Sequence, residues 1–459
     1  MLFSSVTFIY YFLPILLLIY FITKDKYKNL VLLIFSIIFY LLGETKYIFI
    51  LILSCILNYI FGKKIYTSKN KKTWLIISLI YNIGQLLIFK YTDFFIENIN
   101  NILNTNINYL YIVMPIGISF FTFQALGYII DIYQEKHKPA NNLLDFMTYI
   151  SLFPQLIAGP IIRYSDIQEQ LTKRNTTTEK FASGITRFVI GLSKKVLIAN
   201  VLGEFSSNLI EVDLLSSWLK PIAFTLQIYF DFSGYSDMAI GLGLMFGFNF
   251  LENFNYPLIA TSITDFWRRW HISLSSWFKD YVYIPLGGNR VSKIKHIRNI
   301  FIVWFLTGFW HGASWNFILW GLYFFILLIM EKIFLKKYLD KTKILKHIYT
   351  IILVIIGFLI FNSQNTQEIL VGLKNMFMIN KIPLTTTSTI YYLKNNLSLL
   401  IISIIGSTPL IKYIVTKIKT SKYRKLIDSL EVIAVLALLI LVTSFLIDES
   451  FNPFLYFRF

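Results

Sequence analysis

The sequence predicts an all-α, polytopic integral membrane protein of about 10–12 transmembrane helices with re-entrant and interfacial helices. Three observations carry that class. Hydrophobic residues make up 56% of the 459 residues and charged residues only 15%, whereas soluble chains carry about 25% charged residues. Apolar runs near the roughly 20 residues needed to cross a hydrocarbon core recur along the chain. Lysine and arginine concentrate in alternate loops between those runs, the pattern that sets orientation in a bilayer.

Plain spans are expected at 5–23, 29–43, 47–62, 74–90, 110–132, 218–247, 348–361, 397–411 and 431–446. The first run, Val6 to Ile22, has no basic region before it and no small-residue cleavage site after it, so it reads as a retained helix rather than a signal peptide. The single cysteine, Cys55, lies within an apolar run, which excludes an intramolecular disulfide and a CxxC redox or metal site. No other grouping suggests a metal. The chain reads as a single domain over 1–459, with N-terminal spans in 1–107, a motif-bearing core in 108–331 and C-terminal spans in 332–459.

The net charge of +18 is a topology and lipid-headgroup signal rather than a nucleic-acid one, because the basic residues sort by loop. Lys24, Lys26 and Lys28 follow the first span, and Lys63, Lys64, Lys69, Lys71 and Lys72 follow the third. The loops between are short or acidic, with Glu44 in one and Asp93 and Glu97 in the next. Basic loops belong in the cytoplasm, so the N-terminus of this multi-pass chain of the cell membrane is expected outside. The alternation continues with Lys136, Lys138, Arg163, Lys173 and Arg174 inside, and Glu204, Glu211 and Asp213 outside. Clusters at 268–298, 332–346 and 412–425 are again inside.

Three stretches do not read as plain spans. The run 148–160 is short and carries Pro154, Gly159 and Pro160, which suits a re-entrant segment whose irregular backbone is satisfied within the protein. The run 185–206 holds Lys194 and Lys195 at its centre and reads as a broken span, with an interfacial helix as the alternative. Asn299 to Met330 is flanked by basic clusters on both sides, so it should cross an even number of times. One straight helix of that length would reach about 48 Å against a core of about 30 Å. Gly308 and Gly312 bracket Phe309-Trp310-His311, so two short helices should meet near His311.

A further element precedes it. Ser262 and Asp265 have capping-box spacing, and Phe266, Trp267, Trp270, Leu274, Trp277 and Tyr281 recur at helical intervals, with Arg268, Arg269, Ser275 and Lys279 largely elsewhere on the wheel. The stretch 262–281 reads as an amphipathic helix at the cytoplasmic interface carrying His271, ended by Pro285, Gly287 and Gly288. A histidine among tryptophans is often only packed. Within a membrane an ionisable side chain is costly, which favours a functional role for His311 and His271. His137, His296 and His347 lie in basic stretches and read as ordinary solvated residues. The segment Gln227 to Asp237 offers the carboxylates Asp231 and Asp237, and polar packing explains it as well as chemistry does.

These pieces resemble the membrane-bound O-acyltransferase superfamily, and within it the alginate O-acetylation protein branch. The resemblance begins at Met1 to Ser5 and continues through Met114 to Gln124, Phe153 to Arg163 and Phe230 to Asp237. Its most specific parts are Phe266-Trp-Arg-Arg-Trp-His271-Ile-Ser-Leu-Ser275 and Trp310-His311-Gly312-Ala313, and it reaches Asn452 to Phe459. It implies His311 as the catalytic residue and His271 as a site residue of less settled role. Asp231, Arg268, Trp310 and Asn316 are then site-lining or substrate-binding candidates. A neutral imidazole at His311 would accept the proton of an acceptor hydroxyl attacking an acyl thioester. Oxyanion donors are open among Trp310, Trp315, Asn316 and a backbone N–H at the break. His271 is expected to line the cytoplasmic entrance or position the donor.

The implied activity is O-acyl, in particular acetyl, transfer from a cytoplasmic thioester, acetyl-CoA or carrier-linked, towards an extracellular polysaccharide or wall polymer. No bound cofactor is expected. Membrane lipid and a separate extracytoplasmic SGNH-type acyltransferase are the implied partners, and nucleic acid is not. Two rivals of other classes stand beside this reading. A secondary transporter would show an inverted repeat, which the halves lack. A non-catalytic scaffold of an exopolysaccharide synthesis complex would need neither histidine.

Overall fold

The structure is a computed structural model and describes residues 1–157, 159–420, 424–448 and 454–455. Among the described residues the regular structure is helical throughout, with no strand, as an apolar solvent requires of a chain that does not close a barrel. Among the described residues five helices are long and apolar enough to cross a membrane: Ile48–Thr67, Lys71–Leu103, Trp315–Leu339, Leu345–Asn362 and Ile427–Asp448. Leu397–Gly406 and Leu410–Lys419 form a sixth such element bent by 60°. The protein is thus a multi-pass membrane protein.

Other apolar runs yield shorter helices than their hydropathy suggests, because local chemistry breaks them. The expected span 110–132 becomes helical only at Ile118–Tyr133. Gly117 precedes it at φ 74°, where a Cβ would stand 2.5 Å from the carbonyl oxygen of Leu156. The run 148–160 divides into Leu143–Ser151 and Phe153–Leu156 with Leu152 between. Its described residues are almost entirely buried, as an irregular backbone at depth demands.

The fold comprises two compact units, residues 1–188 with 236–251 and residues 189–235 with 252–459. The first has an aromatic centre in which Phe3, Phe8, Phe12, Phe39 and Phe153 lie ring against ring. Some of its buried polar groups pair across the unit. Asn58 and Asn82 exchange amide hydrogen bonds of 3.1 and 2.8 Å, and Arg174 donates to Asn29 Oδ1 at 2.7 Å while lying over the Phe248 ring. His137 is not solvated as expected: its ring packs on Tyr128 and Tyr164.

The second unit carries both tryptophan-flanked histidines. Here the two lysines expected to break the run 185–206 do so mildly, as a π-helical stretch Lys194–Asn200 continuous with its neighbours. Lys195 is buried and its Nζ lies 2.6 Å from Asp231 Oδ1. Asp231 Oδ2 also accepts the backbone N–H of Leu455 at 2.9 Å.

Candidate active site

His311 is the last residue of the helix Lys293–His311, and the chain returns as the helix Trp315–Met330. The hairpin expected from length alone is therefore present, and glycine makes it close. At Gly308 an added Cβ would lie 2.4 Å from the Phe317 carbonyl oxygen, and at Gly312 2.2 Å from the Phe317 ring. At Gly308 backbone meets backbone, and His311 is delivered buried, with its ring against Trp310, Trp320 and Phe361 at centroid distances of 5.1, 5.0 and 5.3 Å.

His271 is also placed at a break, which overturns the expectation of one continuous amphipathic helix. The stretch forms Ile263–Arg269 and Ile272–Phe278, and His271 between them is left-handed at φ 45°, ψ 55°. A non-glycine residue in that region costs about 1–3 kcal/mol and persists only where surroundings impose it. The imposing element is the loop at Asn253. Ile272 N–H donates to the Asn253 carbonyl at 3.0 Å and Asn255 N–H to the Arg269 carbonyl at 2.9 Å, replacing helical bonds. Asn253 Oδ1 accepts from Ser273 N–H at 3.1 Å and Ser273 Oγ at 2.9 Å, and lies 3.2 Å from His271 Nδ1.

The N-terminus of the first short helix is held twice. Ser262 Oγ accepts from Asp265 N–H at 3.0 Å, as its spacing suggested. The buried carboxylate of Glu331 accepts from Ile263 N–H at 2.6 Å and from Thr264 N–H and Oγ1 at 3.0 and 2.8 Å. Burial lowers the pKa of His271 to about 3, so the ring is neutral at physiological pH.

Both histidines line one cavity of about 380 Å3, whose walls include Trp267, Trp270, Trp304 and Thr307. Arg268 and Lys279 line it too and are exposed. Trp310 does not line it but sits between the histidines, 6.2 Å from the ring of His271 and 5.1 Å from that of His311. Asn316 donates to the Phe361 carbonyl at 3.1 Å, tying its helix to Leu345–Asn362. Asp231 is engaged by Lys195 and Leu455 and is not in the cavity lining. A larger cavity of about 410 Å3 in the same unit, beside Lys220, Asn362 and Glu368, contains neither histidine.

The sequence alone did not single out Asn253 or Glu331. Both lie outside any motif, and their roles depend on partners 18 to 68 positions away. His296 is likewise not a plain solvated residue, since Tyr283 Oη and Lys332 Nζ lie 2.9 and 2.8 Å from its Nε2. Among the described residues no group of three His, Cys, Asp or Glu side chains could hold a metal ion.

Two buried imidazoles, each at a helix break and both lining one mostly apolar cavity, suit proton transfer coupled to acyl transfer. Residues 133–370 match the model of the membrane-bound O-acyltransferase family. The chain belongs to that family and is a membrane O-acyltransferase. It is 41% identical over 379 residues to the probable alginate O-acetylase AlgI of Pseudomonas aeruginosa, covering 80% of this chain and 73% of the relative. A peptidoglycan O-acetyltransferase of Helicobacter pylori is 37% identical over 427 residues, 84% of this chain and 81% of the relative. A teichoic acid D-alanyltransferase of Bacillus subtilis is 32% identical over 273 residues, 54% and 69% of the two chains.

Proposed function

We propose that this enzyme takes an acetyl group from a cytoplasmic thioester, acetyl-CoA or a carrier-linked equivalent, and passes it across the cell membrane for O-acetylation of an extracellular polysaccharide or wall polymer. The observation that carries the reading is the shared cavity, lined by the buried residues His271 and His311 together. The relatives named as O-acetylases of alginate and peptidoglycan support acetyl as the group and an envelope polymer as its destination. The alternation of basic and acidic loops supports an N-terminus outside and a donor arriving from the basic, cytoplasmic face. An SGNH-type transferase outside the membrane is the partner that would complete the transfer to polymer.

In this reading His311 is the general base. Its imidazole takes the proton of an acceptor hydroxyl as that oxygen bonds to the acyl carbon. The C–S bond then breaks, and the departing thiolate takes the proton back from the imidazolium, leaving a free thiol and an O-acetyl ester. General-base assistance is typically worth about 10² to 10⁴ in rate. The test is acetyl transfer from radiolabelled acetyl-CoA by protein reconstituted in liposomes. His311→Ala and His311→Gln are each expected to lose at least about 10²-fold in turnover with unfolding unchanged. Near wild-type transfer by the Gln variant would remove His311 from this role.

A further inference from the structure

The larger cavity of the same unit, at about 410 Å3, falls in the range of about 300–1,000 Å3 typical of small-molecule sites. It is lined by two opposite charges that are not spent on each other. Lys220 is half-buried, and its ammonium makes no hydrogen bond or ion pair with any described residue. The carboxylate of Asp213 acts on it electrostatically, but the oxygens of that group are taken by Ser216, Thr386 and Thr389. Glu368 lines the cavity from the helix Thr366–Met376. Its carboxylate accepts the backbone N–H of Gln364 at 2.8 Å and pairs with no cation among the described residues. Opposite charges held apart in one wall match a ligand that carries both, a zwitterion. The rest of the lining says which kind. Phe224 and Phe358 are buried, and the apolar residues Val212 and Val371 are left exposed beside the charges. Open apolar surface next to charge suits an amphiphile rather than a soluble zwitterion. Asn362, also in the lining, ends the span Leu345–Asn362. Its 18 residues rise about 27 Å from the basic cluster at 332–346, close to the roughly 30 Å of a hydrocarbon core. The cavity therefore lies where that span leaves the hydrocarbon, at headgroup level, on the external side in the proposed topology.

We infer that this cavity binds the headgroup of a phosphatidylethanolamine lipid, phosphate to Lys220 and ammonium to Glu368, with acyl chains against Val212 and Val371. An ethanolamine ammonium brings three N–H donors to the carboxylate. A choline cation has none, and a phosphatidylglycerol headgroup has no cation at all. The inference goes beyond the proposed function, since the lipid is a bound ligand and not a reactant. Its seat bears on the enzyme through Phe358, which lines this cavity and lies 5.0 Å from the ring of Trp270, a wall residue of the histidine cavity. Phe358 is also 6.3 Å from Phe361, on which His311 packs. A headgroup bridging Lys220 and Glu368 joins the helices Leu214–Met245 and Thr366–Met376 beside the helix that carries Phe358 and Phe361, and so braces the wall behind His311.

Native mass spectrometry of the full chain tests this by reading which lipid it keeps on release from detergent. The protein is offered equal amounts of phosphatidylethanolamine, phosphatidylcholine and phosphatidylglycerol with identical acyl chains. The wild type is expected to keep one phosphatidylethanolamine in about five- to tenfold preference to each of the others, the scale of one charge-assisted hydrogen bond at a partly exposed site. Glu368→Gln should bring that preference towards one. Lys220→Met should lower retention of all three lipids alike, by about five- to tenfold, because it removes the phosphate contact they share. Each preference is a ratio within one preparation, so partial misfolding does not move it. Glycerophosphoethanolamine, the same headgroup without chains, should not displace the lipid at equal concentration, and displacement would overturn the lipid assignment. Equal retention of the three lipids by the wild type, wild-type preference in Glu368→Gln, or undiminished retention in Lys220→Met overturns the inference. Retention is read without turnover, so a wild type that binds the lipid yet transfers no acetyl group would sink the proposed function and leave this inference standing.

Discussion

Adding one methyl group at Gly308 tests whether hairpin packing delivers His311. The Gly308→Ala Cβ would stand 2.4 Å from the Phe317 carbonyl oxygen and 3.3 Å from the Gly321 Cα, where ordinary contact begins near 3.4 Å. The obstacle is backbone on both sides, so no rotamer change relieves it. The two helices must part by about 1 Å, and overpacking of this kind costs about 1–3 kcal/mol. His311 lies three residues beyond, and a shift of about 1 Å at a reacting group can cost about 10²-fold in rate. Acetyl transfer in liposomes should therefore fall by between one and two orders of magnitude, with a lowered unfolding midpoint in detergent. Gly321→Ala, whose Cβ would stand 2.4 Å from the Trp304 carbonyl oxygen, should behave alike. Gly84→Ala, with nothing within 4 Å, should change neither quantity. Wild-type turnover and midpoint in Gly308→Ala would refute the argument.

Cysteines introduced at Asn98 and Ser68 in a Cys55→Ser background are expected to label from opposite sides of intact cells, Asn98 from outside. Labelling of both from one side would reverse the charge-based topology. The buried pair Lys195 and Asp231 should show strong coupling: either Lys195→Met or Asp231→Leu alone leaves an uncompensated charge and destabilises by about 3–5 kcal/mol. The double variant should recover most of it, as read by unfolding in detergent, and additive losses would contradict the pairing. Burial raises the pKa of Asp213, but hydrogen bonds from Thr389, Ser216 and Thr386 outweigh this and leave it below the usual carboxylate value. Its folded pKa is depressed, so its stabilisation is full above the ordinary carboxylate range and is lost as pH falls through the folded value. The unfolding midpoint should drop below about pH 4 in the wild type, and Asp213→Asn should flatten that drop. An identical profile in the variant would exclude the carboxylate.

The amino-acid sequence determined the class of this protein and the place of His311. Hydropathy and charge are additive along a chain, so apolar runs and basic loops could be counted without knowing the fold. Length alone ruled out one straight helix between Asn299 and Met330, and the glycines around Phe309-Trp310-His311 marked the turn. Periodicity failed at His271 for a definite reason. The wheel from Phe266 to Tyr281 is regular, and the sequence around it contains no breaker, yet the chain breaks there because Asn253 offers hydrogen bonds that outcompete a helical turn. Glu331 likewise caps a helix that begins 68 residues earlier. Only the tertiary structure decided that both histidines line one cavity and that Asp231 is occupied by Lys195. Those are properties of partners brought together from distant positions. Local propensity is written residue by residue, whereas the protonation, orientation and company of a buried side chain are set by whatever folding packs against it.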